Sequence, residues 1–421
     1  RHGPGVVATK QKLQEKYEWS NVSAKITQMY PLDEYYFVSP AHVCDRLDSF
    51  CAIKDDELPA KVILVPKDSR GPRLISCEPV DKQWIQQGLG RAIVRWVEEH
   101  ELTKFNVFFT DQTPNRIGAL YGSKNGRYST LDLNEASDRV SADLVRLLFP
   151  EYLYRYLEAC RSSSTELPDG SVLELKKFAP MGSALCFPIL ALTVWAILTA
   201  AAPDAYTQER ILVYGDDVIV PTGYTVRAIE QLESFGLKIN HDKSCISGLF
   251  RESCGMDAFN GVDVTPVRFR TVWSSSRSPN VYLSYIAYAN DLYDKQCYVT
   301  YDLIVRELES IYGPIPDESM SLTCPSLRVS SGNAKSLRRR YNKHLQKMQY
   351  YVFETKTPSV IRDYDGWSKL LRFKTEAVAT RHVLPEVQHH SGFRPIFESS
   401  DEPFSVSTYT SRRTSILVRR W

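Results

Sequence analysis

At 421 residues and 43% apolar content the chain is long enough for two or three substructures with sizeable cores, which excludes a small stapled domain. Its 52 basic and 50 acidic residues leave a formal charge of only +2, so any nucleic-acid contact must rest on local clustering and not on a global excess. Nine cysteines, an odd number without a Cys-x-x-Cys pair, point to reduced thiols in a cytosol-like compartment and away from a disulfide framework.

In chain order, the opening Arg1-His-Gly-Pro-Gly5 has neither an initiator methionine nor an apolar signal core, and reads as the start of a processed or partial chain. The stretch Val65-Pro-Lys-Asp-Ser-Arg-Gly-Pro-Arg73 carries Lys67, Arg70 and Arg73 at intervals of three through a Gly-Pro turn. Such heads can converge on a polyanion, although an isolated basic surface loop has the same composition. Residues 81–102 read as a helix, with Ile85, Leu89, Ile93 and Trp96 along one face.

Residues 128–259 read as strand, helix, helix, strand, hairpin, helix. Ser141 is placed to cap a helix bearing Leu144, Leu147 and Leu148 that Pro150 terminates; Thr225 starts another through Ile229 and Leu232 that ends at Gly236. This order suits an antiparallel sheet backed by helices, an α+β fold. Residues 184–202 carry no charge over a length that would span a bilayer as a helix. Pro188, several Ala and Thr residues and the lack of a second span make them a buried core helix instead, with no membrane partner. His241, Cys245 and Cys254 resemble zinc ligands, but no fourth stands at suitable spacing. Beyond residue 262 the chain turns helical and aromatic, then basic: Ser336-Leu-Arg-Arg-Arg-Tyr-Asn-Lys343 with Lys347 reads as a basic helical region, either a solvated face or a contact for nucleic-acid backbone.

The most informative segment is Tyr214-Gly-Asp-Asp217. Its flanks, 211–214 and 218–220, are apolar runs of strand length, and Gly215 supplies the permissive backbone of a tight turn, so two carboxylates stand at a hairpin tip. Asp132, 84 positions earlier at the end of another short strand, is the candidate to complete a metal site. Phosphoryl transfer between nucleotides employs two divalent cations about 4 Å apart, and hard cations such as magnesium prefer carboxylate oxygen. Exposed turn aspartates are the commoner fate of an Asp-Asp pair, so the setting decides.

That setting is an ordered series: the basic loop with Cys77-Glu-Pro79, Asp132-x5-Asp138, Met181-Gly-Ser183, Tyr214-Gly-Asp-Asp217, Phe250-Arg-Glu-Ser-Cys-Gly255 and Gly261-Val-Asp-Val-Thr-Pro266. With it the chain resembles the replicase β subunit of the positive-strand RNA bacteriophages, RNA-directed RNA polymerases of the levivirus type, over about residues 61–267. The resemblance implies a right-hand polymerase: fingers over 1–127 with some N-terminal sequence absent, palm over 128–147 and 181–262, a fingers insertion over 148–180, and a thumb with the basic helical region over 263–421. It implies Asp132, Asp216 and Asp217 as ligands of two Mg2+ ions, for which Mn2+ substitutes. Lys243 resembles the lysine that protonates the leaving pyrophosphate, with Lys238 as competitor. Lys67, Arg70, Arg73, Asp138, Gly182 and Ser183 fall at nucleotide-binding positions, and Arg251, Glu252 and Ser253 on the primer and template side.

Implied partners are RNA template and product, nucleoside triphosphates, host translation elongation factors and a ribosomal protein, in the cytoplasm of an infected bacterium. One departure stands out: Cys186 and Leu190 occupy positions where many RNA polymerases carry Thr and Asn to sense the ribose, and Leu190 offers no hydrogen bond. The expected function is RNA-directed RNA polymerase; the alternatives are a reverse transcriptase-like polymerase or a non-catalytic RNA-binding protein with a polymerase fold.

Overall fold

A computed structural model describes residues 2, 5–13, 15–68, 71–269, 271–320, 322, 324–329, 336–356, 365–381 and 416–420. The chain divides into two compact units, one of Arg1–Thr265 with Arg362–Glu386, the other of Pro266–Ile361 with Val387–Trp421.

The first unit is α+β. In chain order its main elements are β1 (Ala60–Asp68), β2 (Gly71–Cys77), α1 (Val80–Glu99), α2 (Thr113–Asn125), β3 (Tyr128–Leu131), α3 (Ala142–Leu148), β4 (Ser164–Glu166), β5 (Val172–Glu174), α4 (Cys186–Ala201), β6 (Leu212–Tyr214), β7 (Asp217–Pro221), α5 (Thr225–Ser234), β8 (Phe250–Ser253), β9 (Met256–Phe259) and β10 (Val262–Asp263). One sheet has the order β3-β7-β6, antiparallel throughout. Val218, Ile219 and Val220 of its central strand are all buried, as a strand covered on both faces requires. A second sheet, β2-β1-β4-β5, joins the basic loop strands to residues 164–174 through a parallel β1–β4 pairing. A meander of β8, β9 and β10 forms a third.

The uncharged segment is α4, whose Ile189, Leu190, Ala191, Val194, Ile197 and Leu198 lie in the core, so an apolar surface on all sides is accounted for by protein neighbours. Among the described residues no helix is long and apolar enough to cross a membrane. Ser141 Oγ accepts from Leu144 N at 3.0 Å, the expected cap of α3, and Gly236 follows α5 with φ +86°.

Helix α1 departs from its expected face. Trp96 is 58% exposed and lies against the His100 ring, whereas Trp84 is buried and donates its indole N–H to Tyr35 O at 2.8 Å. The buried stripe runs through Ile93 to Val97, and adjacent positions on a helix point about 100° apart, which turns Trp96 outward.

Helix α2 lies close against the β3-β7-β6 sheet: a Cβ on Gly122 would stand 2.8 Å from Tyr128 O, where backbone must move, and one on Gly118 2.8 Å from the Ile219 Cδ1 methyl. The helix Gly366–Arg381, grouped by sequence with the C-terminal region, belongs to the first unit. Its Trp367 stacks on His42 at 4.7 Å and donates to Asp45 Oδ2 at 2.6 Å.

In the second unit α6 (Pro279–Asp294) and α7 (Tyr298–Tyr312) form a helical hairpin across a three-residue link. Tyr282, Ile286, Ala289, Tyr301, Val305, Leu308 and Tyr312 make its core. The basic segment is not helical. It forms a β-hairpin of β11 (Arg339–Asn342) and β12 (Lys347–Tyr350), with Tyr341 opposite Met348. Asn342 Oδ1 accepts from His344 N at 3.0 Å and Leu345 N at 3.1 Å, and Gln346 takes φ +49°; this side-chain turn reverses the chain where a helix would need continuous backbone bonds.

Two glycine substitutions test the close approach of α2. Gly122→Ala must displace backbone and should destabilise by about 1–3 kcal/mol. Gly88→Ala, in α1 with open space around it, should be neutral or stabilise by up to about 1 kcal/mol. Urea unfolding of both variants measures the difference.

Candidate active site

The three aspartates come together through strand register. Leu131 pairs with Val218 in the β3–β7 ladder, and Tyr214 pairs with Asp217 across β6 and β7. One step beyond the β3–β7 ladder, Asp132 faces Asp217, and Asp216 stands in the two-residue turn between β6 and β7. Gly215 opens that turn with φ +65°, as the first position of a type II′ hairpin turn demands. Phe187 of α4 lies beneath it: a Cβ on Gly215 would stand 2.1 Å from Phe187 Cε2. Asn115 of α2 donates to Asp217 O at 3.1 Å and holds the strand from behind.

The segment 238–245 runs alongside residues 130–134. Thr130 and Cys245 exchange main-chain bonds, Asn134 N donates to Lys238 O, and Asn240 N donates to Asp132 O at 2.9 Å. Asn240 Nδ2 also donates to Asp132 Oδ2 at 2.7 Å, and Lys243 Nζ lies 3.7 Å from the same oxygen. Of the two competing lysines it is therefore Lys243 that reaches the carboxylates. Sequence reading missed Asn240; its only signal was its place in Gly236-Leu-Lys-Ile-Asn240 opposite a strand end.

Burial and charge crowding both act on the acids of the site. Burial, then the charges of Asp216, Glu252 and Asp132, pushes Asp217 up to about 6, against the Cys254 N–H that stabilises its anion. Asp216 is also raised, by burial and by Asp132, with Lys243 and Arg73 opposing. Glu252 is raised by burial, Asp257 and Asp132. The Glu252 carboxylate thus adds its charge to those acting on Asp217, and the residue's own N–H lies 3.4 Å from Thr130 Oγ1.

The flanking residues have other employment. Arg251 is only 1% exposed and donates to the main-chain carbonyls of Tyr128, Ser247, Gly248 and Phe250. Ser253 is buried as well. Neither presents its side chain to a nucleic-acid strand; Arg251 instead ties β8 to β3 just before Asp132. Ser183 donates to Gln86 Oε1 at 3.1 Å and accepts from Leu185 N at 3.2 Å, so its hydroxyl is engaged in starting α4. Gly182, at φ +123°, lets the chain lie against β2, where Ser76 N donates to Met181 O. Asp138 is exposed and ion-paired with Lys177. Leu190 is buried in the core, and Cys186 stands beside Ser137, its thiol pushed up to about 11 by burial, then by Asp138 and Asp216. Arg73 of β2, paired with Val65 of β1, is the cation of the basic loop whose charge reaches Asp216. Arg70 and the Lys67 side chain lie outside the described residues.

Glu135, between Asp132 and Asp138, takes φ +51°, an uncommon conformation for its type and a form of strain that clusters at functional sites.

In this α+β unit the carboxylates of Asp132, Asp216, Asp217 and Glu252 bring negative charge to one end of an antiparallel sheet, with Lys243 and Arg73 opposing it. The chain belongs to the RNA replicase beta-chain family, which matches residues 44–279. It is 36% identical over 211 residues to the RNA-directed RNA polymerase subunit beta of Qbeta virus (strain MX1), covering 50% of this chain and 35% of that protein. It is 36% identical over 205 residues to the RNA-directed RNA polymerase beta chain of Escherichia phage MS2, covering 49% and 36%. The matched stretch thus spans about a third of the length of these relatives. A solved RNA-dependent RNA polymerase of a human picorbirnavirus is similar at a TM-score of 0.43 and 14% identity, over 77% of this chain and 65% of that one.

Arg251 serves stability in this arrangement. Arg251→Met should cost about 3 kcal/mol by orphaning buried carbonyls. RNA affinity of the folded variant should stay within about twofold, since a side chain that touched phosphate would instead reduce the salt dependence of binding when removed. Urea unfolding and fluorescence anisotropy with labelled RNA read the two effects separately.

Proposed function

We propose that the chain carries the nucleotidyl-transfer centre of an RNA-directed RNA polymerase of a positive-strand RNA phage, acting in the infected bacterial host. The convergence of Asp132 with Asp216 and Asp217, by strand register across 84 positions, is the observation that carries the reading.

In this reading the β3-β7-β6 sheet with α4 and α5 belongs to the palm, over 128–147 and 181–262. The β2-β1-β4-β5 sheet, built from both 60–77 and 164–174, supports assigning 1–127 and 148–180 together as fingers. Residues 263–421 supply the thumb and C-terminal region, apart from the helix that returns to the first unit.

The donor set fits divalent cations. Its oxygens are hard, and the burial and mutual repulsion that raise Asp216 and Asp217 are relieved by positive charge. Among the described residues no group of three or more acid, histidine or cysteine side chains is arranged to hold a metal ion without rearrangement. Asp132, Asp216 and Asp217, with Glu252 beside them, would hold Mg2+ or Mn2+, which when bound would activate the attacking hydroxyl and neutralise phosphate charge.

The chain's own residues then orient and stabilise. Arg73 receives the triphosphate, and Asp138 stands toward the incoming ribose. The RNA 3′-hydroxyl gives its proton to solvent as its oxygen bonds to the α-phosphorus, the bond to the pyrophosphate oxygen breaks, and Lys243 delivers a proton to the departing pyrophosphate. Asn240 acts as a positioning residue: by occupying Asp132 Oδ2 it leaves Oδ1 to face the reacting groups. With Leu190 in the core, ribose selection falls to Asp138 and to groups near Cys186. Template and product RNA and nucleoside triphosphates are the substrates; elongation factors and a ribosomal protein of the host complete the assembly.

Asp132→Asn and Asp216→Asn should each retain RNA binding and lose nucleotide incorporation with Mg2+ or Mn2+, measured by RNA synthesis with and without bacterial extract. Undiminished synthesis by both variants would sink the assignment. Ribonucleotides should be incorporated in preference to deoxyribonucleotides on the same RNA template.

Asn240→Ala should lower kcat about 10-fold or more while KM for nucleotide stays within about twofold. Steady-state incorporation kinetics measure both parameters, and a change confined to KM would remove Asn240 from this role.

A further inference from the structure

The basic hairpin of the second unit lies beyond residues 44–279, outside the stretch that matches the family. Residues 336–351 contain five Arg and Lys residues and no acid. Cross-strand pairing sorts Arg339, Arg340 and Lys347 onto two faces, with Lys343 in the turn. Arg339 and Tyr350 face the same way as Tyr341 and Met348; Arg340 and Gln349 share the other face with Asn342 and Lys347. Tyr341, Leu345 and Met348 are 58%, 56% and 47% exposed. Arg339, Lys343 and Lys347 form no ion pair with any described residue.

Cations on exposed strands also serve to block edge-to-edge association. That device gains nothing from a large aromatic and two aliphatic side chains displayed on the same ribbon, which favour association. Alternating cations and an exposed ring instead match single-stranded nucleic acid, which offers phosphates along one line and base faces along another. A duplex hides its base faces and would leave Tyr341 unused.

We propose that the hairpin 339–350 is a single-stranded RNA-binding ribbon, in which Arg339, Lys343 and Lys347 contact phosphates and Tyr341 stacks on a base. The choice of RNA over another polyanion rests on the polymerase reading of the first unit. Binding is therefore measured without catalysis, in the full chain carrying Asp132→Asn, so that failure of the hairpin and failure of the catalytic assignment give different results.

The probes are a fluorescein-labelled 12-nucleotide single-stranded RNA, a labelled RNA duplex, and vesicles of phosphatidylserine and phosphatidylcholine, with circular dichroism to verify folding. In the triple variant Arg339→Gln, Lys343→Gln, Lys347→Gln the slope of log affinity against log salt should fall by about 2, roughly 0.7 for each phosphate left without its cation. Tyr341→Ala should weaken single-strand binding about 5- to 100-fold and duplex binding less than twofold, while Tyr341→Phe restores it. A wild-type salt slope in the triple variant overturns the proposal. So does equal loss of single-strand and duplex binding in Tyr341→Ala, or vesicle binding that depends on these residues when RNA binding does not.

Discussion

The main-chain ladder between β3 and β7 pairs Leu131 with Val218, and the geometry of the site follows from that register. In an antiparallel pair a slip of one residue reverses the face of every side chain, so Asp132 would leave Asp217 for the opposite surface. The register is secured on both sides of the sheet. Val218, Ile219 and Val220 are buried, Gly118 and Gly122 admit α2 to van der Waals distance, and Asn115 bonds the strand carrying Asp217. Apolar packing therefore sets where the charges meet.

Those charges oppose the fold that gathers them. Carboxylates brought together and partly withdrawn from water raise one another's proton affinity, as Asp217 records most strongly. The surrounding structure compensates with fixed donors and cations: Asn240 and Lys243 on Asp132, the Cys254 N–H on Asp217, and the charges of Lys243 and Arg73 near Asp216. Arg251 acts one layer deeper, joining four carbonyls and thereby tying the third sheet to β3. A site under such repulsion is suited to receiving cations and polyanions, because binding relieves a tension the fold already contains.

Much of this was legible along the chain where local chemistry is decisive. The Tyr214-Gly-Asp-Asp217 turn, the Ser141 cap, the glycine after α5 and the uncharged core helix each follow from residue type at close range. Features governed by distant partners were not legible. Arg251 reads as a surface cation until four carbonyls surround it, and Ser183 as a free hydroxyl until Gln86 engages it. Trp96, expected on the apolar face, is turned outward because apolar spacing leaves neighbouring stripes of a helix nearly equivalent. The basic segment reads as helix by composition, yet the Asn342 turn and cross-strand pairing make it a hairpin, which changes which side chains share a face.

By itself the sequence determined the α+β character of the first unit, the carboxylates available for chemistry and the order of motifs that marks the family, because these depend on short-range pattern and residue identity. Tertiary structure alone decided that Asp132 meets Asp217, that Lys243 and not Lys238 reaches them, that Glu252 joins the acids and that Arg251 turns inward. Each of these depends on the meeting of segments remote in the chain, and burial and charge take their values there only when the segments meet.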